Sequence, residues 1–506
     1  MADSKISGLT AGLALPTDEL VTRRDASNFR VPVELLTDNI FNVKNYGAVG
    51  DNSTNDTTAI QAAIDAAAAD GGGVVYIPAG TYVTGPLVIK NQVWIRGAGI
   101  YATTLKLADS SDDNLLTSYK ATSTESNALL WAVMDLRLDG NKSNQASGSG
   151  IYVELSSSQT AGDVVNDARW LIDNVFIENC KEHGFEQVSS RSEGRIINLH
   201  VFDCDGHGFR IAGSDTFVVS SNVGACGLAG FYISGSSVRI VNSKAWFNGT
   251  VTSASGHGFH LNGSSPGGVS LTNCEAQDND GAGFKIESSS HRVTLTGCVA
   301  DSNGKGSTTP ISGDGSYAGY EISSSRNITI VGCISYERRY DGVNSAQRCA
   351  LKITSSAEQN NIDISHSAAS GGAVVNQPLH GDSTSVNGNN IRFNAQGGHQ
   401  AVSYASSITP NPYEGEFISV TLTGNITVNN VSNTTGQGSG TYPRGQHAGA
   451  RMTFIFTQDG TGGHTVTWGD AYKVNWTPTT TANKINTISF VYNGSNWIQV
   501  GEGINL

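Results

Sequence analysis

The chain is poor in proline, in charged residues and in long apolar runs. Among 506 residues, 11 are proline and 15 % are charged, whereas about 25 % charged residues is typical of soluble domains. This composition differs from that of a disordered chain. The 31 basic and 44 acidic residues give a net charge of −13, which argues against a nucleic-acid partner. No run approaches the roughly 18 apolar residues of a transmembrane helix, so we expect no membrane insertion.

Cysteine and the N-terminus carry two further expectations. The seven cysteines are an odd number and cannot all pair within one chain. The first twenty residues have no basic segment followed by an apolar run. We therefore expect no secretory signal peptide and synthesis in the cytoplasm with reduced thiols.

Glycine, in contrast, is abundant. The chain has 60 glycines, about 12 % where roughly 7 % is usual. This composition favours many short strands joined by tight turns.

One segment near the N-terminus has the pattern of an α-helix. Asn55 or Asp56 can cap its start, and Ile60 and Ile64 lie four residues apart on one face. Three glycines at 71–73 end it.

A short repeat follows, with copies 22 to 36 residues apart. Each copy has glycine, an aromatic residue, an outward residue and usually Ile or Leu. The copies are Gly184-Phe185-Glu186, Gly208-Phe209-Arg210-Ile211, Gly230-Phe231-Tyr232-Ile233, Gly258-Phe259-His260-Leu261, Gly283-Phe284-Lys285-Ile286 and Gly319-Tyr320-Glu321-Ile322. One unit cannot bury its apolar side alone, whereas stacked units form a continuous core. The repeat therefore predicts a solenoid of parallel coils.

Parallel stacking places like residues over like. The aromatic residues should form one internal stack, and six cysteines fall on two repeat positions: Cys180, Cys204, Cys226, Cys274, Cys298 and Cys333. No CxxC pair occurs, so we expect buried ladders of small side chains rather than a metal or catalytic site. We also find no compact group of aspartates that is typical of calcium, and we expect no cofactor.

The repeat fades near residue 400. Strand patterns at 417–422, 451–456, 488–492 and 497–500 alternate with longer loops. This spacing is typical of an antiparallel β-sandwich.

Residues 42–99 resemble the start of right-handed parallel β-helices of the pectate-lyase-3 type. The matching motifs include Tyr46-Gly47-Ala48-Val49-Gly50-Asp51, the helical segment, Pro78-Ala79-Gly80-Thr81-Tyr82 and Gly97-Ala98-Gly99. The resemblance implies that the helix caps the solenoid. This superfamily holds lyases, hydrolases and epimerases, so its fold does not select a reaction.

Both ends of the chain resemble bacteriophage proteins. The motifs Lys5-Ile6-Ser7-Gly8-Leu9 and Asp18-Glu19-Leu20-Val21 are similar to leaders of tail and head-fibre proteins, and residues 456–497 to the C-terminal domains of tailspikes. The resemblance implies a homotrimeric tailspike of the virion tail. Such a protein contacts other tail proteins through its N-terminal segment and binds, and usually cleaves, a bacterial surface polysaccharide.

The predicted fold is therefore all-β with three segments. Residues 1–37 form a short N-terminal leader for attachment to the particle. Residues 38–400 form a right-handed parallel β-helix with an N-terminal capping helix. Residues 401–506 form an antiparallel β-sandwich for trimerisation, carbohydrate binding or both.

Residues beside the buried aromatic point outward from a β-helix. They predict one exposed row of Glu186, Arg210, Tyr232, His260, Lys285 and Glu321. Tyrosine can stack on a pyranose, and arginine and lysine can hold uronates. The row is thus a candidate substrate-binding surface, with a solvated face as the alternative.

Two acidic groups are candidates for glycoside hydrolysis, which needs carboxyl groups about 5–5.5 Å or 6.5–9.5 Å apart. Strands of adjacent coils lie about 4.8 Å apart, so acids on neighbouring coils meet this requirement. The densest group, and the preferred catalytic set, is Glu182, Glu186, Asp203 and Asp205. The second group is Asp278, Asp280, Glu287 and Asp301. Several of these acids are also ordinary turn residues.

Three histidines, His183, His207 and His257, precede the aromatic residue by two positions. A hydrogen-bonded turn residue is the simpler interpretation, and a general base or substrate ligand is the alternative, with His207 and His257 as substrate-binding candidates. A zinc site is a weaker hypothesis.

We expect a polysaccharide depolymerase, with hydrolysis favoured over elimination. A lyase would use Arg210, His260, Lys285 or Tyr232 as its base, with cations neutralising a uronate. A non-catalytic adhesin and a secreted bacterial polysaccharidase stay open.

Overall fold

A computed structural model describes the fold for most of the chain. The described residues are 19–24, 27–32, 39–118, 130–154, 169–188, 193–252, 255–263, 267–288, 290–305, 318–336, 347, 349–353, 357–367, 377–380, 389–395, 399–410, 416–431 and 449–506. The leader motifs Lys5–Leu9 and Asp18 lie outside them. Within the predicted leader, the strand Glu19–Arg24 pairs antiparallel with Ser27–Pro32.

The predicted helix is confirmed at Thr57–Ala69. The Asn55 side chain accepts the backbone N–H of Thr57 at 3.0 Å. The buried carboxylate of Asp56 instead accepts the N–H groups of Val49 and Gly50. Ile60, Ala63, Ile64 and Ala67 are fully buried in the same core as the first coils, so the helix covers the end of that core.

The solenoid contains two parallel sheets. In the described part of the chain, sheet 1 has eleven strands, stacked in chain order. They are Leu87–Ile89, Leu116–Ser118, Ile151–Val153, Phe185–Gln187, Phe209–Ile211, Phe231–Ile233, Phe259–Asn262, Phe284–Glu287, Ala318–Ile322, Cys349–Ile353 and Gln377–His380.

Sheet 2 covers the other faces of the coils with two strand stacks, which its longest strands join. Its strands are Ile40–Asn42, Asp51–Asn55, Gly73–Ile77, Gly80–Thr84, Val93–Gly97, Thr103–Leu107, Leu130–Asp139, Arg169–Glu178, Glu193–Phe202, Thr216–Val219, Asn222–Gly224, Arg239–Val241, Lys244–Trp246, Ser270–Thr272, Glu275–Gln277, His291–Thr296, Val299–Asp301, Arg326–Tyr336, Asn361–Ser367 and Asn390–Ala395. Short 3-10 turns lie at Val43–Tyr46 and Lys142–Asn144.

The glycine of the repeat is explained by packing. A Cβ on Gly208 would lie 2.1 Å from Cγ1 of Val223, and one on Gly184 would lie 2.2 Å from Cγ1 of Val201. Any larger residue would push the coil apart. The predicted aromatic stack is confirmed, with centroids 4.6–5.0 Å apart from Phe209 through Phe231, Phe259 and Phe284 to Tyr320.

The cysteine ladders are also confirmed, because all six repeat cysteines are buried and free. The first ladder continues as amides that the sequence analysis missed. The N–H of Cys226 donates to Oδ1 of Asn248. Hydrogen bonds of 2.8–2.9 Å between side-chain amides then connect Asn248, Asn279, Asn303 and Gln347 in turn. This ladder ties together the turns before sheet 1.

The C-terminal region forms two further sheets around a separate core. The first contains His399–Ala401, Phe417–Leu422, Arg451–Gln458, Tyr472–Lys473, Ile485–Tyr492 and Trp497–Gly503, and the second contains Ser407–Ile408, Ile426–Val428 and Val466–Trp468.

The predicted all-β class is confirmed, but the C-terminal pairing is mixed rather than antiparallel. Among the described C-terminal residues, only the pairs of Ile485–Tyr492 with Arg451–Gln458 and with Trp497–Gly503 are antiparallel. Phe417–Leu422 pairs in parallel with Arg451–Gln458. Their long connection makes this possible, since parallel neighbours need a crossover. The limits 1–37, 38–400 and 401–506 stay predictions.

Candidate functional site

The predicted row lies on sheet 1, in continuous register. Its consecutive partners, called here the central row, are Thr117, Tyr152, Glu186, Arg210, Tyr232, His260, Lys285, Glu321, Lys352 and His380. The structure therefore brings all six predicted residues together and adds Tyr152 and Lys352. The signal for Tyr152 was the segment 150–153, where isoleucine takes the place of the aromatic residue.

The central row is less exposed than predicted. Glu186, His260 and Glu321 are only 7–8 % exposed. The reason is that neighbouring rungs cover one another with ion pairs and ring contacts. The surface is thus a polar strip whose side chains are held by contacts between neighbouring rungs.

At one end of the strip, Glu186 has both carboxylate oxygens engaged. Ser149 Oγ donates to Oε2 at 2.9 Å, and the Arg210 guanidinium donates to Oε1. Nε2 of His183 lies 3.9 Å from the same Oε1. Arg210 nevertheless keeps about a third of its side chain exposed, so it can still meet a ligand.

Further along, Glu287 lies on the same strand as Lys285 and contacts two members of the central row. His260 Nε2 donates to its Oε1 at 2.7 Å, and Lys285 Nζ lies 3.2 Å from its Oε2. The hydrogen bond from His260 and the charge of Lys285 together lower the pKa of Glu287 to about 2. Glu321 is paired with Lys352 Nζ at 3.6 Å.

Tyr232 occupies the centre of the strip. Its ring stacks on His207 with centroids 4.5 Å apart and meets His260 edge-on at 5.3 Å. Arg210, His260 and Lys285 each engage a glutamate, whereas the ring contacts hold Tyr232 in place.

The three histidines of the repeat are hydrogen-bonded turn residues, as the simpler interpretation predicts. The Nδ1 atoms of His183, His207 and His257 accept backbone N–H groups of the next coil, at 2.9, 3.1 and 2.9 Å. A neutral ring with Nδ1 so engaged carries its proton on Nε2. Burial lowers the pKa of all three, to about 3 for His207. They are therefore N–H donors rather than general bases.

The preferred acidic group is divided into two parts. Asp203 pairs with Lys142 Nζ at 2.7 Å, and Asp205 pairs with Lys142 and Lys181 at 3.1 and 2.8 Å. Both aspartates belong to the turn that precedes the strand of Arg210, whereas Glu186 is itself a member of the central row. Glu182 accepts the N–H of Gly148 at 3.2 Å.

The second acidic group is divided in the same way. Of these four acids, Glu287 is the one that the structure shows in contact with the central row, through His260 and Lys285. Asp278 is buried in the turn after the strand Glu275–Gln277 and accepts a hydrogen bond from Gln277. Asp301 is buried at the end of the strand Val299–Asp301 and accepts one from Ser302. Asp280 donates its N–H to the carbonyl of Asn248 in the neighbouring turn.

No group of three or more His, Cys, Asp or Glu side chains in the described part is placed to hold a metal ion. No helix among these residues is both long and apolar enough to span a bilayer.

Two family models match the chain. Residues 40–254 match the family described as rhamnogalacturonase A/epimerase, pectate lyase-like. Residues 408–497 match the phage tail fibre C-terminal domain. These matches confirm the predicted resemblance of a pectate-lyase-like β-helix followed by a phage tail-fibre domain.

Two curated relatives come from Azotobacter vinelandii. Alginate lyase 7 is 34 % identical over 194 residues, which are 37 % of this chain and 21 % of that protein. Mannuronan C5-epimerase AlgE5 is 32 % identical over 261 residues, which are 50 % of this chain and 23 % of that protein. The chain thus spans about a fifth of the length of these relatives.

A solved structure shares the fold. Full-length tailspike protein 2 from Escherichia coli O157:H7 bacteriophage CAB120 superimposes with a TM-score of 0.54 at 17 % identity, over 72 % of this chain and 48 % of that chain. The likeness supports a tailspike-type β-helix as the fold.

Proposed function

We propose that the chain is a phage tailspike that binds and depolymerises an acidic bacterial surface polysaccharide along the central row. The observation that carries this proposal is the uninterrupted register of Arg210, Tyr232, His260 and Lys285 on sheet 1. The phage-type C-terminal domain and the polysaccharide-modifying relatives support it. The proposal includes a homotrimer in the virion tail, attached to other tail proteins through the N-terminal segment.

The geometry of the central row suits a linear polymer. Its rungs follow one another at about 4.8 Å, so a repeating chain can contact many of them at once. Arg210 and Lys285 lie on either side of Tyr232 and His260 in the register. A guanidinium and an ammonium at these places can bind carboxylates of the polymer.

The same contacts favour elimination over hydrolysis. Hydrolysis needs a carboxylic acid that donates a proton, but Glu287 is held ionised and both oxygens of Glu186 already accept hydrogen bonds. Elimination needs a base and a cation beside a uronate. In this step the phenolate form of Tyr232 takes the C5 proton, the C4–C5 double bond forms as the C4–O4 bond breaks, and the phenol so formed returns that proton to O4 of the leaving sugar.

Hydrolysis stays the second candidate because two acids lie on one coil near the central row. Glu182 and Glu186 both act electrostatically on His183 and Tyr152. If these two acids form the catalytic pair, cleavage yields a saturated new end.

The test uses alginate and a panel of purified capsular and O-antigen polysaccharides. We expect new reducing ends together with the ultraviolet absorbance of an unsaturated uronate. Arg210→Ala should lose most of this activity. Arg239→Ala is the matched control, since Arg239 lies on sheet 2 against the ring of Phe217. New reducing ends without absorbance would favour hydrolysis, and binding without new ends would leave an adhesin.

A further inference from the structure

Sheet 2 carries a group of aromatic side chains that the central row does not use. The ring of Trp246 contacts those of Phe202 and Phe247, and the three residues are called here the aromatic platform. The centroids of Phe202 and Trp246 are 5.9 Å apart, and those of Trp246 and Phe247 are 5.5 Å apart. Phe202 is 37 % exposed, and the other two are half-buried.

A glycine seats the central ring flat on the sheet. A Cβ on Gly224 would lie 2.6 Å from Cε2 and 2.9 Å from Cζ2 and Nε1 of Trp246. The indole therefore lies across Gly224, which is its partner in the sheet register. Nε1 donates to Oδ1 of Asn222 at 2.8 Å. One face of the indole is held against the sheet, and the ring as a whole is half-buried.

A strip of polar side chains runs beside the platform. Lys244 precedes Trp246 by two residues and therefore shares its side of the strand. Nζ of Lys244 donates to Glu275 at 3.0 Å and also to Gln277, which is the register partner of Trp246. Lys244 and Glu275 are each about a third exposed. A flat apolar ring thus borders charged and amide groups.

We propose that the aromatic platform is a second carbohydrate-binding site, which holds a pyranose of the same polysaccharide outside the central row. The electron-rich face of Trp246 attracts the C–H face of a pyranose. Lys244, Glu275 and Gln277 can then hydrogen-bond the substituents at the ring edge. This proposal rests on the proposed function, because it takes the same polymer as ligand.

The size of the platform favours a sugar over a protein partner. A stable protein interface buries about 800 Å² on each side. Three partly exposed rings, each contributing at most about 250 Å², present less than that. A single pyranose needs only one exposed ring face and a few polar neighbours.

The position of the platform relates it to the central row. Trp246 ends a strand of sheet 2, and the same coil continues through a turn to Phe259–Asn262 of sheet 1, which carries His260. A polymer that turns around this coil can contact both surfaces. The platform would then retain the chain between successive cleavages.

The test is retardation in native gels that contain each polysaccharide of the panel above. Trp246→Ala should raise the apparent Kd of the full-length protein about tenfold, as expected for the loss of one stacked ring. The Kd is obtained from retardation as a function of polysaccharide concentration. Phe202→Ala, at the more exposed end of the platform, should raise the Kd less. Trp94→Ala should match the wild type, because Trp94 is an exposed tryptophan elsewhere on sheet 2.

Each outcome bears on one proposal. If the wild type is retarded, Arg210→Ala weakens retardation and both platform variants match the wild type, the platform proposal is overturned alone. If the wild type is retarded by no polysaccharide of the panel, the proposed function fails first and the platform with it.

A lower mass of Phe202→Ala by light scattering, with unchanged retardation, would assign the platform to self-association instead. Thermal unfolding of each variant identifies misfolding, and Phe202→Ala decides if Trp246→Ala does not fold.

Discussion

Tyr232 is the residue on which the proposed chemistry depends most. Tyr232→Phe keeps the ring that stacks on His207 and removes only the hydroxyl. We expect kcat to fall about 10²- to 10⁴-fold, the usual contribution of a general base, with little change in KM. Initial rates on the polysaccharide that the wild type cleaves provide the measurement. Tyr101→Phe is the control, since Tyr101 is 87 % exposed and lies outside the row; equal rates for Tyr232→Phe and the wild type would contradict the assignment.

For single residues, the sequence was sufficient to predict which side chains lie next to each other, but not how buried or how protonated they are. The Gly-aromatic spacing placed Glu186 beside Arg210 and His260 beside Lys285, because parallel coils stack like positions. The low exposure of Glu186 and the proton on Nε2 of His207 depend on atoms from other coils. Ser149 and the N–H of Ala229 supply these contacts, and no local pattern encodes them.

The turn that carries the histidines predicts how stability depends on pH. The folded-state pKa values of His183, His207 and His257 lie below the ordinary value of 6.5. The unfolded chain therefore binds protons first as the pH falls. The stabilisation is complete above about pH 6.5 and is lost between there and about pH 3, where His207 titrates in the fold. We expect a lower Tm at pH 5 than at pH 7 by circular dichroism.

His207→Asn is the matched variant for that prediction. Its amide oxygen can accept the N–H of Ala229 but does not titrate. The drop in Tm between pH 7 and pH 5 should be smaller than in the wild type. An equal drop in both proteins would assign the acid sensitivity to other groups.

The close packing of successive coils predicts that the glycine of the repeat is needed for stability. Gly208→Ala should lower the free energy of unfolding by about 1–3 kcal/mol, because the new Cβ would meet Val223 at 2.1 Å. Gly85→Ala is the control, since its nearest neighbour would lie at 3.4 Å, an ordinary contact. Denaturant unfolding of both variants provides the comparison. A Gly208→Ala protein as stable as the Gly85→Ala protein would show that the coil spacing is not set by this contact.

The helix and the repeated strands were predictable, whereas the pairing of the C-terminal strands was not. The helix at 57–69 was evident from its cap and its apolar face, and the Gly-aromatic copies located most strands of sheet 1. The C-terminal strands were located from their alternation, but their directions depend on how long connections cross. Alternation is the same in parallel and antiparallel neighbours, so this pairing was not predictable from the pattern.

For the whole molecule, the exposed surface of sheet 2 predicts assembly. Ile197 and Val219 are neighbours in one register row of sheet 2 and are 36–38 % exposed. Val331, which is 42 % exposed, lies further along the same row, beyond Thr272 and Thr296. Exposed apolar surfaces of this kind mark association sites. With the proposed tailspike function, we expect light scattering to give three times the 53.0 kDa of one chain. Val219→Asp should reduce that mass, and a wild-type monomer would contradict the proposed trimer.

The central claim is that the polysaccharide lies along the central row. The most direct measurement is a crystal structure of the Tyr232→Phe protein with an oligosaccharide cut from the polysaccharide that the wild type degrades. We predict sugar density over Arg210, residue 232, His260 and Lys285, with a carboxylate at Arg210 or Lys285. Density confined to the Asp203 and Asp205 turn, or to a cleft between subunits away from sheet 1, would contradict it.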